Sequence, residues 1–302
     1  MNRFKKLMVS LDLNETDSTL IQYAGFISNM AHSSEICFVH ITDTFDIPEE
    51  IKKVYPEIVS PVDEAAKARM KELVSTHFNG HSGTELAFEA IEGTRVGSLL
   101  SFSKSHDIDL IIVGQSTGQS SNLSEKLARK APCSVLIIPQ RSYVKLDTIL
   151  AAVDFSDHSM NTLDVASAFA KAGEVKFIDI LHTYDIPKGY YKTGKSVEEF
   201  DRMMLENAKK KARVLFAKAD LKGMEIKPYF RKTDNTVEGI QRFAEQSAAD
   251  LIVLGARGRT GDMAAILLGS VTEGLIRKLD RPLLAVKTKG EGMGLLDALY
   301  AL

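Results

Sequence analysis

The chain repeats itself. An apolar run closed by aspartate, KLMVSLD (Lys6 to Asp12), returns as TILAAVD (Thr148 to Asp154), 142 residues later. ICFVHITD, ending at Asp43, and FIDILHTYD, ending at Asp185, keep the same offset and set His40 against His182. DLIIVG (Asp109 to Gly114) and DLIVLG (Asp250 to Gly255) lie 141 apart, and EKLARK (Glu125 to Lys130) and EGLIRK (Glu273 to Lys278) lie 148 apart. Seven residues were therefore gained by the second copy, or lost by the first, between Gly114 and Glu125. A period this long describes a domain rather than a solenoid unit. In 302 residues it gives two domains, each long enough to bury a core without disulfide or metal. The expected boundaries are 1–143 and 144–302, with QRSYVKLD (Gln140 to Asp147) as the linker.

Within each copy, short near-continuous apolar runs alternate with amphipathic stretches such as DEAAKARMKELVSTHF and VEGIQRFAEQSA. Continuous apolar runs are what a strand needs when helices cover both faces of a parallel sheet. The β-α order closes on SVLIIP in the first copy and PLLAVK in the second. The expected fold class is α/β: two tandem doubly wound domains, each with a mainly parallel five-stranded sheet flanked by helices. With so short a linker, the two are expected to pack as an intramolecular pseudo-dimer.

Thirty-eight basic against 40 acidic residues leave a net charge of -2, so no global field points to nucleic acid or an anionic membrane as partner. The two cysteines, Cys37 and Cys133, form no C-x-x-C pair; they fit a reducing cytoplasm and read as small buried apolar side chains. The first apolar stretch breaks at Asp12, too soon for a signal peptide, and no run approaches a membrane span. A soluble, cytoplasmic protein is expected.

Ligands of open α/β sheets bind beyond the carboxyl ends of the strands, where the strand order reverses. In the second copy those positions are Asp154 and Phe155, Thr183 and Tyr184, and the segment GARGRTGDMAAILLGS. In that segment Gly255, Gly258 and Gly261 allow close backbone approach, and Arg257 and Arg259 bring positive charge. Gly269 and Ser270 open the last helix, whose N-terminus favours an anion. The competing reading is structural: Ser270 with Glu273 fits an S-x-x-E capping box. The first copy has Ser121 and Asn122 at the aligned positions, and its GQSTGQSS carries no arginine.

The run G-A-R-G, an apolar stretch, then G-S-V-T-E followed by R-P-L-L-A-V, resembles the nucleotide-binding signature of the universal stress protein family. AAVDFSDHS, ILHTYD and, in the first copy, APCSVLIIP extend the resemblance over essentially the whole chain. The family pattern is G-x-x-G, nine residues, then G-[ST]; here ten residues, Arg259 to Leu268, stand between Gly258 and Gly269. The resemblance implies a stress-response protein that binds ATP or AMP, with or without magnesium, and has little or no catalysis. It implies Asp154 at the ribose or phosphate end and the Thr183 backbone at the adenine. Gly255, Gly258, Gly269 and Ser270 would line the phosphates, and Val271 and Thr272 would follow at the helix start. Such proteins dimerise through their last strands, a pairing that two tandem copies can satisfy internally; a homodimer of whole chains stays open.

Two other readings stay open beside it. An enzyme that hydrolyses ATP or transfers its phosphate would need a magnesium-holding acid, for which Asp154 and Asp262 are the candidates. An interaction module would bind no nucleotide at all. No H-E-x-x-H, G-x-S-x-G or GxGxxG-plus-acid arrangement appears in the right context. His40 and His182 read as core or rim histidines, His158 as part of a helix entry, and NAKKKAR as a solvated helix face. GYYKTGKS (Gly189 to Ser196) matches the P-loop pattern letter for letter. It reads instead as a loop ending in a capping box, Ser196 with Glu199, because it stands too far beyond its strand and carries tyrosines where a phosphate cradle needs small residues.

Overall fold

The computed structural model describes residues 3–42, 54, 62–115, 121–257 and 268–290. The sequence readings at Asp43, Gly258, Arg259, Gly261 and Asp262 lie outside these. The first half runs β1 (Lys6–Leu11), α1 (Asp17–Ala31), β2 (Glu35–Thr42), α2 (Val62–His77), β3 (Glu85–Glu92), α3 (Arg95–Ser105), β4 (Leu110–Gln115), α4 (Ser121–Lys130) and β5 (Ser134–Pro139). The second runs β6 (Ile149–Ala152), α5 (Asp157–Ala172), β7 (Phe177–Tyr184), α6 (Val197–Lys218), β8 (Glu225–Lys232), α7 (Thr236–Gln246), β9 (Leu251–Gly255), α8 (Ser270–Arg277) and β10 (Leu283–Val286).

The strands form one ten-stranded sheet in the order β3-β2-β1-β4-β5-β10-β9-β6-β7-β8. Every pairing within a half is parallel; the halves meet where β5 and β10 run antiparallel. Leu136 faces Leu284 there, 148 positions away and equivalent to it in the repeat, so the junction is a pseudo-twofold axis. Both strands are buried along their whole length. Alone, either domain would expose an apolar edge strand, a template for pairing with another chain; the duplication covers it from within.

Helices α1, α2, α5 and α6 cover one face and α3, α4, α7 and α8 the other, and each apolar layer draws residues from both halves. On the first face Phe4 meets Phe169 edge-on across the junction. On the second, α4 and α8 share a ring of ion pairs: Arg129 reaches Glu125 and Glu273, and Arg277 reaches Glu273 and Glu125.

Several repeated polar residues serve the chain path. The carboxylate of Asp109 accepts from the Lys5 and Lys6 amides, and that of Asp250 from the Asp147 and Thr148 amides, fixing the entry to β1 and β6. His40 and His182 pair through Nδ1 with the carbonyls of Leu11 and Val153. Cys37 and Cys133 are buried, and burial pushes both thiols up to about 12. Among the described residues no helix is long and apolar enough to cross a membrane.

The P-loop lookalike lies beyond β7. Gly189 (φ 87°) and Gly194 (φ 73°) flank a 3-10 turn, Tyr190–Thr193, and use the left-handed conformation that glycine alone adopts without strain. Ser196 caps α6 as the sequence predicts: its hydroxyl accepts from the Glu199 amide, and the Glu199 carboxylate accepts from the Ser196 amide.

Candidate functional site

The strand order of each half reverses beside its first strand, between β1 and β4 and between β6 and β9. Above the second of these switch points lies a cleft of about 450 Å³, within the size range of small-molecule sites. Asp154, Thr183, Gly255 and Arg257 line it from the strand ends, and Gly269, Ser270, Val271 and Thr272 from the start of α8. The structure thus brings together in one cavity the eight described residues that the sequence nominates.

Their geometry separates scaffold from contact surface. Asp154 Oδ1 accepts from the Ser156 amide (3.0 Å), the Ser156 hydroxyl (2.6 Å) and the Ser159 hydroxyl (2.9 Å), which closes the turn into α5. Thr272 is buried and donates its hydroxyl to the Gly255 carbonyl at 2.9 Å, tying α8 to the end of β9. The Gly269 amide donates to the Ala256 carbonyl at 2.8 Å, and the Ala256 amide to Val286. Ala256 and Gly269 are therefore held side by side at the end of β9. A Cβ on Gly255 would lie 2.9 Å from the Arg257 carbonyl, so glycine is what lets the chain turn there.

The capping-box reading of Ser270 is overturned. Gly269 is the N-cap of α8, no side chain caps the helix, and Glu273 turns to Arg129 and Arg277 instead. The arginine 144 positions earlier in the chain has outcompeted the local bond. The first-turn amides of an eight-residue helix thus face the cleft without a side-chain cap, beside Arg257. Amides at a helix start together with a cation suit an anion, so the residues present fit a nucleotide phosphate. Among the described residues, no group of three or more His, Cys, Asp or Glu is placed to hold a metal ion.

The helical wall was not nominated. Met204, Asn207, Ala208 and Lys211 enter from α6, and Thr236 and Ile240 from α7. The Thr236 hydroxyl lies 3.4 Å from that of Thr183. Phe155, at φ 63°, sets its ring 4.1 Å from that of His182. Burial and the nearby Asp201 carboxylate push the Tyr184 phenol above its ordinary range.

The matching place in the first half holds a void of only about 20 Å³ among the described residues. Arg95 stands where the second half has Thr236 and pairs with Asp12 at 3.0 Å. Leu20 replaces Thr162 and lies against Gly114. Asp17 replaces Ser159 and is fully buried, and desolvation raises its carboxyl to about 6 although the Asp12 and Asn14 amides donate to it. Gln115 replaces Ala256 and is held by the Ser124 hydroxyl and the Ile276 carbonyl.

Strand order, cleft and duplicated sheet define a class: tandem α/β domains of the doubly wound type, with a ligand-sized cleft at the switch point of one copy. Matches to the model of the universal stress protein family cover residues 3–139 and 145–287. The chain belongs to that family. It is similar to Universal stress protein MJ0577 of Methanocaldococcus jannaschii, 33% identical over 155 residues, which is 47% of this chain and 94% of that protein. A universal stress protein of Thermus aquaticus is 31% identical over 140 residues, 46% of this chain and 98% of the relative. Among solved structures, a universal stress protein from Archaeoglobus fulgidus aligns with a TM-score of 0.62 at 18% identity, covering 94% of this chain and 98% of its own. The Pseudomonas aeruginosa protein PA1789 aligns with a TM-score of 0.65 at 15% identity, covering 99% and 98%. Likenesses at such low identity extend to the fold of both domains together.

Proposed function

We propose that the second domain binds an adenine nucleotide, ATP or AMP, in the cleft above β6, β7 and β9, and that the protein acts in stress response through occupancy of that cleft with little or no catalysis. One observation carries the reading: eight residues nominated from sequence converge on one ligand-sized cavity at the switch point. The uncapped amides of α8 with Arg257 offer an anion site at one side. Thr183, Thr236 and Ile240 offer a partly apolar wall for a base. The ten-residue spacer is compatible with this, because Ala256 and Gly269 hold the loop ends together and the additional residue lies between fixed anchors. The first domain, filled at the same place, acts as scaffold. We take 1–143 and 144–302 as the domains, the cytoplasm as the setting and the intramolecular pair as the working unit.

The test is chemical. Protein purified from cells and denatured should release ATP or AMP, and calorimetry on emptied protein should show one nucleotide per chain. ADP accumulating on incubation with ATP would replace the reading by a phosphate-cleaving enzyme. A protein that releases nothing and binds no nucleotide would leave the interaction module.

A further inference from the structure

A second cavity of about 540 Å³ runs between α5 and α6. It opens from the cleft across Phe155, Asn207 and Lys211, which line both. Its walls combine Met160 and Val214, large apolar side chains 36% and 52% exposed, with Lys210, Lys211 and Lys218. None of these three lysines forms an ion pair with a described residue, whereas neighbouring Lys209 is taken by Glu206, and Lys222 by Asp164 and Asp220. From Asn207 to Ala219 the chain carries five cations and no acid. Like charges left uncompensated along one helix weaken it, so the fold alone gives no reason for them.

The repeat supplies an internal control. Aligned on their buried residues, Ala66 and Met70 of α2 match Ala208 and Ala212 of α6. On that alignment Ala68, Arg69, Glu72 and Thr76 stand where α6 has Lys210, Lys211, Val214 and Lys218, and Ser18 stands at the place of Met160. Arg69 and Glu72 neutralise each other. The basic, apolar face is thus a property of the second copy and no requirement of the architecture.

We propose that this groove docks a short acidic segment of a partner protein, with apolar side chains set among its carboxylates. The lysines supply the complementary charge and Met160 and Val214 the apolar contacts, in a concave site beside the cleft. A nucleic acid fits less well, since Asp157 lies in the lining and Phe155 is the one aromatic side chain there to stack on a base. A membrane calls for an apolar face that projects, whereas Met160 and Val214 stand in a hollow.

Fluorescence anisotropy on the full chain tests this with a short labelled peptide that alternates glutamate with leucine and phenylalanine. Saturable binding that weakens with added salt is expected. The glutamine version of the peptide should bind roughly tenfold or more weakly, and Lys210→Glu with Lys218→Glu should cause a loss of the same order. Lys210→Gln with Lys218→Gln should lose less, and Arg69→Glu on the matching face of the first domain should change nothing. Thermal unfolding matching that of the parent will show that the exposed substitutions leave the fold intact. Equal binding of both peptides, or indifference to the lysine changes, overturns the proposal. So does lysine-dependent binding of a single-stranded oligonucleotide or an anionic vesicle where the peptide fails to bind. No nucleotide enters the assay, so its result is independent of the reading of the cleft.

Discussion

The two switch points of this molecule have the same strand order and opposite contents. At the first, Leu20, Asp17 and Gln115 border about 20 Å³ among the described residues; at the second, Thr236, Thr162 and Ser159 border about 450 Å³. The polar residues that recur in both copies, Asp109 with Asp250 and His40 with His182, hold strand entries and strand ends. Those that differ line the cavity beside Asp154 and His182, which recur as Asp12 and His40. In a duplicated chain, what diverges around a shared frame reports the use of the site.

If side-chain volume and the Arg95 cation account for the difference, moving them should abolish it. Thr162→Leu with Thr236→Arg would carry the filling of the first copy into the second. We expect nucleotide affinity by calorimetry to fall by about 100-fold or more, equivalent to about 2.7 kcal/mol, with the fold intact by circular dichroism. Affinity within a factor of two of the parent would locate the ligand elsewhere.

Asp17 gives an effect of similar size. Its folded carboxyl titrates at about 6, against 3.8 for the unreacted group, because burial outweighs the amide hydrogen bonds. An acid raised in the folded state binds its proton more tightly there. Its favourable contribution is therefore full below pH 3.8 and is lost as pH rises through about 6. That shift corresponds to about 3 kcal/mol. Between those pH values the stability of the parent should fall relative to Asp17→Asn by an amount of that order, measured by urea unfolding across pH. The second copy has Ser159 at this position, so Ser159→Ala should show no such pH window. A parallel course for parent and Asp17→Asn would mean that the carboxylate is better solvated than its burial indicates.

The glycines that end β4 and β9 sharpen the comparison at smaller scale. A Cβ on Gly255 meets the Arg257 carbonyl at 2.9 Å, whereas among the described residues one on Gly114 meets the Leu20 methyls at 3.6 and 3.9 Å. Backbone yields less readily than a side-chain end. Gly255→Ala should therefore cost about 1–2 kcal/mol by overpacking and weaken nucleotide binding, while Gly114→Ala should be close to neutral. Equal costs for the two would show that the turn after β9 is not under the constraint its geometry implies.

Much of this was legible in the residues. The repeat and the apolar runs gave two five-stranded halves, and the rule that ligands sit beyond strand ends led to Asp154, Thr183 and Gly255. The antiparallel meeting of β5 and β10 was reached only through the family resemblance, since nothing within SVLIIP or PLLAVK states which edge it covers. Met204, Asn207 and Lys211 were missed because they belong to a helix 22 residues long, whose rotation about its axis depends on how the crossover seats it. A signal existed at Thr236, where the first copy places arginine. The competing reading of Ser270 as a cap arose because S-x-x-E is local, whereas the partners that claimed Glu273 include one from another domain.

That competition for Glu273 leads to the smallest expected effect, in a polar cluster where the copies remain alike. Glu125 and Glu273 are equivalent, as are Arg129 and Arg277, and each arginine reaches both carboxylates. The symmetry is imperfect in exposure: the side chain of Glu125 is 15% exposed and that of Glu273 25%, and Arg129 is 33% exposed against 60% for Arg277. Partly solvated pairs of this kind contribute up to about 1 kcal/mol. Glu125→Gln and Glu273→Gln should each lower stability by no more than that, with the larger loss at Glu125, and both losses should shrink in high salt. The double variant should lose more than the sum of the single losses, because either arginine retains one partner after a single change and neither does after both. Additive losses would mean that the four groups act as two independent pairs within the halves, and that the junction is held by β5, β10 and the apolar layers without them.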